Sequence, residues 1–597
     1  MPKLRPLAAR RIVAMGMVLI GAIVFSVRLV DVQIMSAPQL NQDALDKRGV
    51  PVMIPSVRGD IVDRNGIVLA TTEERYDVQL SPKNVRLNGG KFWRIVDDGG
   101  IGTVQVTADE AFGEIGAITG QQPEDIATIV DEALEENPKS DFAYVKRGVD
   151  LTALNALKQL DIPWMTFDTN PQRVYPNGAV AGSIVGFIGA EGDPQAGVEF
   201  SQNECLVGVD GEENFEMGAD GVRLPGSVVV TREAENGGTV KLTIDVDLQY
   251  EAQQALDSQV EKSTAEWGLL TILDARTGEL LAVAEDRSVD PNNVSAADPE
   301  RREARSFTWP YEPGSTSKVL TAAMLVDQGA ANAGTQYLTP YAAEPEPGVV
   351  YSDAFVHDPM PWTLNGILVE SSNVGITALG ARVDEQARHD YLRKFGLGQE
   401  TSAGMPLESG GMLADVTEWD RQTSYNTMFG QGFSTTIVQT ASSYQAIAND
   451  GVRVPPTLVS SCTESDGTEI EHHGGEESRV ISAEAAAQTV DMMENIANEA
   501  WIADELAISG YRLAGKTGTA EQGDGQGGYR SDYVYSFAGL FPADDPQFVI
   551  VSTIAYPKSQ HGTIAATEAW NAAAKAVIRH THLPPSNGAY QPLPITY

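Results

Sequence analysis

Ser315 and Lys318 stand three residues apart in Tyr311-Glu312-Pro313-Gly314-Ser315-Thr316-Ser317-Lys318, ahead of the apolar run Val319 to Val326. On a helix that spacing brings both side chains to one face, about a turn apart. A serine hydroxyl is a poor nucleophile at its ordinary pKa and needs a base within hydrogen-bond reach. A lysine amine can be that base only when burial or a neighbouring cation brings its pKa down toward working pH. The apolar run is expected to be a buried helix ending near Gln328-Gly329, and its burial would supply that desolvation. A helix-capping serine beside a snorkelling lysine would give the same letters. No other lysine in the chain, however, has a serine three residues before it.

Two more polar clusters follow. Glu370-Ser371-Ser372-Asn373-Val374-Gly375 lies between apolar segments. Arg512-Leu513-Ala514-Gly515-Lys516-Thr517-Gly518-Thr519-Ala520 leads into a glycine-rich loop at 522–528. The β-rich runs Tyr533 to Phe541 and Phe548 to Ala555 come next, so Lys516 to Thr519 is expected on a strand of an antiparallel meander. Gly518 would there allow a ligand backbone to approach. Gly510 to Thr517 also matches the phosphate-loop pattern letter for letter, but that loop needs a helix directly after it. Gly518 and a polar glycine-rich stretch follow instead, which argues against nucleotide. The 7 histidines include no His-x-x-x-His pair, and no Gly-x-Ser-x-Gly elbow is present. No metal site and no cofactor are expected.

These clusters must be held by a folded scaffold. At 597 residues, 42% hydrophobic and 21% charged, the chain is long enough for two or more domains with sizeable cores. A net charge of −40 argues against nucleic acid as a partner and against a soluble domain lying on anionic lipid. Cys205 and Cys462 are too few for a disulfide framework and are expected as ordinary buried residues. Leu269 to Leu273 and Glu279 to Ala284, joined by a turn at Asp274 to Gly278, read as sheet strands leading to the Ser315 helix.

Lys3, Arg5, Arg10 and Arg11 precede an uncharged run from Ile12 to Val27, interrupted by Arg28. No small-x-small cleavage site follows that run, so it is expected to be an uncleaved anchor. The basic residues would keep the amino terminus in the cytoplasm. Beyond it, Arg58 to Ala70 reads as a β-hairpin turning at Asn65-Gly66, with no titrating constellation around it. Residues 107 to 161 look largely helical (Ala108 to Ile118, Pro123 to Glu136, Asp150 to Leu160). Arg173-Val174-Tyr175-Pro176 and Gly182 to Gly186 return to β and turn chemistry. The expected layout is a cytoplasmic tail 1–11, a transmembrane anchor 12–34, a pedestal 35–236, a catalytic domain 237–583 and a tail 584–597.

In this order and spacing, Ser315-x-x-Lys318, Ser371-x-Asn373 and Lys516-Thr517-Gly518 resemble the penicillin-binding proteins and serine β-lactamases. The anchor, the Arg58-Gly59…Asp63-Arg64-Asn65-Gly66 hairpin, Arg173 to Pro176, Tyr311 to Ser315 and Phe429-Gly430-Gln431-Gly432 look like the class B penicillin-binding proteins. The resemblance implies an α+β penicillin-binding transpeptidase domain, a central antiparallel sheet flanked by helices, on an elongated mixed α/β pedestal. It implies a D,D-transpeptidase acting on peptidoglycan stem peptides that end in D-Ala-D-Ala. Ser315 would attack, Lys318 accept its proton, and Ser371 and Lys516 relay a proton to the departing amine. Asn373 would orient Lys318 and the substrate amide, and Lys516, Thr517 and Thr519 would meet the substrate carboxylate beside Gly518. The backbone N–H groups of Ser315 and Thr519 would form the oxyanion hole.

β-Lactams would acylate the same serine. The Ser371-Ser372-Asn373 form looks more like the septal, division-specific enzymes, which implies partnership with a polytopic glycan polymerase and other division proteins at the bacterial cell membrane. An elongation-type transpeptidase, a membrane-bound β-lactamase or β-lactam sensor, and a non-catalytic envelope scaffold share parts of this pattern.

Overall fold

The computed structural model describes residues 6–37, 49–97, 101–216, 226–472, 474–523 and 528–597. Lys3 and Arg5 of the basic start, His473 and residues 524–527 of the glycine-rich loop lie outside the described residues. The chain forms two compact units, 1–57 with 208–237, and 58–207 with 238–597.

In the first unit a helix runs from Pro6 to Val30 and continues through a wider turn at Asp31–Met35. Ile12, Val18, Phe25 and Val27 are all exposed on it, so its apolar surface is not spent on a protein core. Ala9–Met35 is long and apolar enough to cross a membrane, at 27 residues. That length spans about 40 Å at the α-helical rise. Arg28, near its end, pairs with Asp31 one turn on. The same unit holds the antiparallel sheet of Gly49–Ile54, Gly211–Glu216 and Val229–Arg232.

The expected hairpin opens the second unit. Ile61–Val62 pairs antiparallel with Val68–Glu73 around Asn65-Gly66. Buried Asp63 closes the turn, its Oδ1 accepting from Asn65 N at 2.7 Å and Ile67 N at 2.8 Å, as turn aspartates do. A charged constellation does accompany this hairpin, contrary to the reading from sequence. Arg58 Nε and Arg173 Nε each donate to the fully buried Glu199 carboxylate at 2.6 Å. Tyr175 Oη adds a third donor at 3.3 Å. One carboxylate shared by two guanidiniums is a costly arrangement to break, because either partner alone would be a buried unpaired charge. Its members come from three segments distant in sequence, so no local pattern announces it.

The hairpin belongs to a six-stranded sheet whose order is Glu469–Glu471, Val459–Thr463, Thr239–Leu242, Ile61–Val62, Val68–Glu73, Gln172–Val174. Here the cysteines depart from expectation. Cys205 and Cys462 form a disulfide, with Cα atoms 6.3 Å apart across a sequence separation of 257. The sheet closes that distance, since Cys462 lies in the strand paired to Val240 and Cys205 O accepts from Gly238 N at 2.7 Å. A smaller α/β body follows the hairpin. The helices Ala108–Thr119, Pro123–Glu136 and Leu151–Gln159 fall where helix is expected, within a residue or so, around a core including Phe112 and Trp164. Gly182–Val185, expected as β and turn, is a short helix.

The site rests on a five-stranded antiparallel sheet ordered Leu280–Glu285, Trp267–Asp274, Phe548–Ala555, Tyr529–Phe541, Ala514–Gly523. Helices Val246–Ser263 and Gly562–Thr581 pack together on one face, Trp570 of the second against Phe537 and Phe541 of the sheet. Helices Ile437–Ala448 and Lys318–Asp327 belong to the larger core on the other face. Almost every residue of the middle strands is buried, as a sheet covered on both faces requires. Ala514–Gly523 is therefore an edge strand.

The final residues form a strap. Ile595 O accepts from Thr363 N at 3.0 Å, and Pro594 O from Thr363 Oγ1 at 2.6 Å. Leu593 and Ile595 pack against the larger core. A Cβ on Gly366 would come 2.1 Å from Ile595 O, so glycine is required beneath the strap.

Candidate active site

Ser315 lies on a tight 3₁₀ turn, Gly314–Ser317, and the α-helix starts at Lys318 and ends at Asp327. The expectation of one helix carrying both residues is corrected to this extent. Gly314 has φ 58°, a left-handed conformation that breaks regular helix just ahead of the serine. A 3₁₀ turn stacks residues i and i+3, so the spacing still presents both side chains on one side. The turn is held from three directions. Gly314 N donates to Gly430 O at 2.9 Å, Tyr444 Oη donates to Thr316 O at 2.8 Å, and Thr316 Oγ1 donates to Pro313 O at 2.9 Å. Gly430 has φ 92°, and a Cβ there would lie 2.0 Å from Gly314 O.

Lys516 and Thr517 lie in the edge strand Ala514–Gly523, not in a phosphate loop. Alternation along the strand sends Lys516, Gly518 and Ala520 one way and Thr517, Thr519 and Glu521 the other. Gly518 is small for a reason other than ligand approach. A Cβ there would meet Pro313 O at 2.9 Å and Thr316 Cγ2 at 3.0 Å, so strand and nucleophile turn press together at this point.

Ser371 sits between helix Leu364–Val369 and helix Asn373–Gly380, with φ 58°. Left-handed backbone at a non-glycine residue carries strain that the surroundings must hold. They do so through Ser371 N to Leu368 O at 3.2 Å and Ser372 N to Ile367 O at 2.9 Å, while Ser372 Oγ caps the next helix at Gly375 N, 2.8 Å away. The three clusters meet here. Lys516 Nζ donates to Ser371 Oγ at 3.0 Å, Lys318 Nζ lies 3.3 Å from the same oxygen, and Lys318 Nζ also donates to Ser371 O.

Both lysines are fully buried. Burial, joined by the Lys516 charge and opposed by Asp353, holds the Lys318 amine well below its ordinary pKa. Burial alone lowers Lys516 to about 7. An uncharged amine able to accept a proton near neutral pH is the result.

Above them opens a cleft of ≈ 1050 Å³ lined by Ser315, Ser371, Asn373, Thr517, Thr519 and Glu521, with Tyr529, Tyr533 and Tyr535 along one side. Asn373 reaches the cleft, but its Nδ2 donates to Ser352 O at 2.9 Å and not to Lys318.

Two groups near the site were not singled out from sequence. Asp353, at 5% exposure, lies beneath Ser372. Glu312, beside the nucleophile turn, is pushed up to about 7 chiefly by burial, partly offset by Gly432 N and Tyr529 Oη as donors and reinforced by Glu521. Asp353 carries no local signal, since it lies 19 residues before its partner Ser372. Glu312 was visible only as part of the Tyr311 to Ser315 likeness.

Comparison with known proteins agrees with this geometry. The family model described as penicillin binding protein transpeptidase domain matches residues 268–577, and that of the penicillin-binding protein dimerisation domain matches residues 53–242. The chain is 36% identical over 542 residues to penicillin-binding protein PbpB of Mycolicibacterium smegmatis, covering 88% of this chain and 83% of the relative. It is 27% identical over 578 residues to peptidoglycan D,D-transpeptidase FtsI of Escherichia coli, covering 96% and 91%. Among solved structures, penicillin binding protein 3 of Mycobacterium tuberculosis complexed with aztreonam superposes with a TM-score of 0.69 at 28% identity, covering 92% of this chain and 100% of that one.

Proposed function

This chain belongs to the penicillin-binding protein transpeptidase family, and on that footing we propose that Ser315, Lys318, Ser371 and Lys516 are the acyl-transfer machinery of a peptidoglycan-cross-linking enzyme. The enzyme is a serine D,D-transpeptidase. The observation that carries the residue assignment is the single Ser371 hydroxyl accepting from two buried amines at the floor of the cleft that Ser315 enters.

In this reading a stem peptide ending in D-Ala-D-Ala lies along the edge strand Ala514–Gly523, whose exposed side offers backbone partners. Thr517 and Thr519 meet its carboxylate, with Lys516 beneath them. Ser315 Oγ attacks the penultimate D-Ala carbonyl carbon as its proton passes to the neutral Lys318 amine. The oxyanion rests on the backbone N–H groups of Ser315 and Thr519. The peptide C–N bond then breaks, and the departing nitrogen takes a proton relayed through Ser371 and Lys516. Free D-Ala leaves, and an ester remains on Ser315. An amine from a neighbouring stem attacks that ester and loses a proton as the C–O bond breaks and Ser315 regains its hydrogen. Asn373, fixed by Ser352 O, faces the substrate amide. β-Lactams occupy the same cleft and leave an ester that departs slowly.

The helix Ala9–Met35 is, in this reading, the single-pass anchor in a bacterial cell membrane, with the catalytic part outside. Residues 35–236 serve as pedestal and 237–583 as catalytic domain. A septal role, alongside a polytopic glycan polymerase and other division proteins, is supported by the Ser371-Ser372-Asn373 form of the second cluster. The test is conversion of a stem pentapeptide plus a free amine acceptor, followed by mass spectrometry. Wild type should release D-Ala and form the amide product, and Ser371→Ala should lose at least about 10²-fold in rate. Undiminished turnover by Ser371→Ala would remove the relay from this account.

A further inference from the structure

Asn373, Ser372 and Val374 are all held by one short stretch at the end of strand Val349–Ser352. Ser352 O accepts from Asn373 Nδ2 at 2.9 Å. Asp353 Oδ2 accepts from Ser372 Oγ at 2.7 Å, and Asp353 Oδ1 accepts from Val374 N at 2.9 Å. Asp353 is itself tied down by its N–H to Tyr341 O at 2.9 Å. The residue is 5% exposed, and His357 Nε2 lies 3.0 Å from its Oδ2. A buried carboxylate is costly unless its oxygens are satisfied and its charge is used. Here both oxygens are satisfied by the two residues that flank Asn373, directly after the strained Ser371.

We propose that Asp353 is a positioning residue for the transpeptidase reaction, fixing the Ser371–Asn373 turn against the cleft, and that His357 tempers the charge Asp353 exerts on the Lys318 amine. This rests on the assignment of Lys318 as the base. The groups involved can all be named. Lys318 faces Ser371 O and Oγ and feels the charges of Lys516 and Asp353. His357 faces Asp353, Asp358 O and the Glu370 carboxylate, with the rings of Tyr341, Phe355 and Trp362 around it. Burial disfavours the charged imidazole, but Asp358 O and Asp353 outweigh it, and the net effect is a raised pKa. A protonated His357 offsets the Asp353 anion. The anion in turn favours the charged, inactive form of Lys318.

Two substitutions separate positioning from mere folding because they move one observable in opposite directions. Asp353→Asn keeps the shape and removes the charge, so the acid limb of the pH profile for acylation by a fluorescent penicillin should move to lower pH, by about one unit. His357→Gln keeps a donor to Asp353 but removes the offsetting cation, so the same limb should move to higher pH. Asp353→Ala, which also releases Ser372 and Val374, should acylate about 10²-fold more slowly, the scale expected for a misplaced catalytic group. Should Asp353→Ala fail to fold, the two milder variants still decide the matter. Acid limbs that stay in place or move together in both would overturn the proposal, as would wild-type acylation by a folded Asp353→Ala. A Ser315→Ala protein that still acylates would instead remove the underlying site assignment, and the two failures are distinguishable.

Discussion

Lys516 Nζ donates to Ser371 Oγ at 3.0 Å, from an edge strand to a turn between two helices. Lys318 Nζ lies 3.3 Å from the same oxygen. Two ammonium groups this close inside a protein repel each other, and burial penalises each of them as well. The pair therefore titrates as a unit, with at least one amine neutral where the enzyme works. A neutral Lys318 is the form able to take the proton of Ser315, three residues before it, while Ser371 between the two amines can pass a proton.

The first prediction concerns pH. Lys516 is lowered to about 7 and Lys318 is held well below its ordinary value, both chiefly by burial. The base is the neutral Lys318 amine, so acylation should fall as pH is lowered through its depressed pKa and level off above it. A second-order acylation rate measured from pH 5 to 9 checks this. Acylation that sped up as pH was lowered would contradict a lysine base.

Stability should carry the same signature. Unfolded, Lys516 would titrate near 10.4; folded, it titrates at about 7. Between those values the unfolded chain binds the extra proton, so wild-type stability should rise with pH over that window. Replacing Lys516 by methionine removes this dependence. The gap in melting temperature between Lys516→Met and wild type should narrow as pH rises from about 7 toward 10, and the variant should be inactive throughout.

Gly430→Ala tests the support of the nucleophile turn. The added methyl would sit 2.0 Å from Gly314 O at a backbone angle of φ 92°. Overpacking and left-handed strain together cost about 2 kcal/mol or more. Thermal denaturation should show that loss, and acylation should slow because the turn carrying Ser315 must shift.

Removing residues 590–597 tests the strap. It frees Thr363 N and Oγ1 and uncovers the apolar contacts of Leu593 and Ile595 at the start of helix Leu364–Val369, whose far end presents Ser371. We expect the shortened protein to melt earlier and to acylate about tenfold more slowly, the loss that follows when a catalytic hydroxyl is poorly held. Unchanged acylation would show that helix Leu364–Val369 keeps its place without the strap.

Much of the architecture is legible where the pattern is local. The strands at 267–274 and 548–555 announce themselves as short runs dominated by Leu, Ile and Val. The helices at 108–119, 123–136 and 151–159 show their periodicity and caps, including the Thr107 capping box. The three polar clusters are visible because each is a short motif. What escaped notice is what the fold assembles from a distance: the Cys205–Cys462 disulfide, the Arg58–Glu199–Arg173 pair of ion bridges, and the Asp353 anchor under Ser372. Each joins residues with no shared periodicity. Their proximity exists only after the six-stranded sheet has closed or the turn at Ser371 has formed.

The central claim is that Ser315 is the acyl-forming nucleophile, and intact-mass analysis after exposure to benzylpenicillin tests it most directly. Wild type should gain the mass of one penicillin, and the label should map to the peptide containing Ser315. Ser315→Ala, shown to be folded by an unchanged melting profile, should gain none. A full adduct on the folded Ser315→Ala protein, or a label on a peptide elsewhere, would contradict the account.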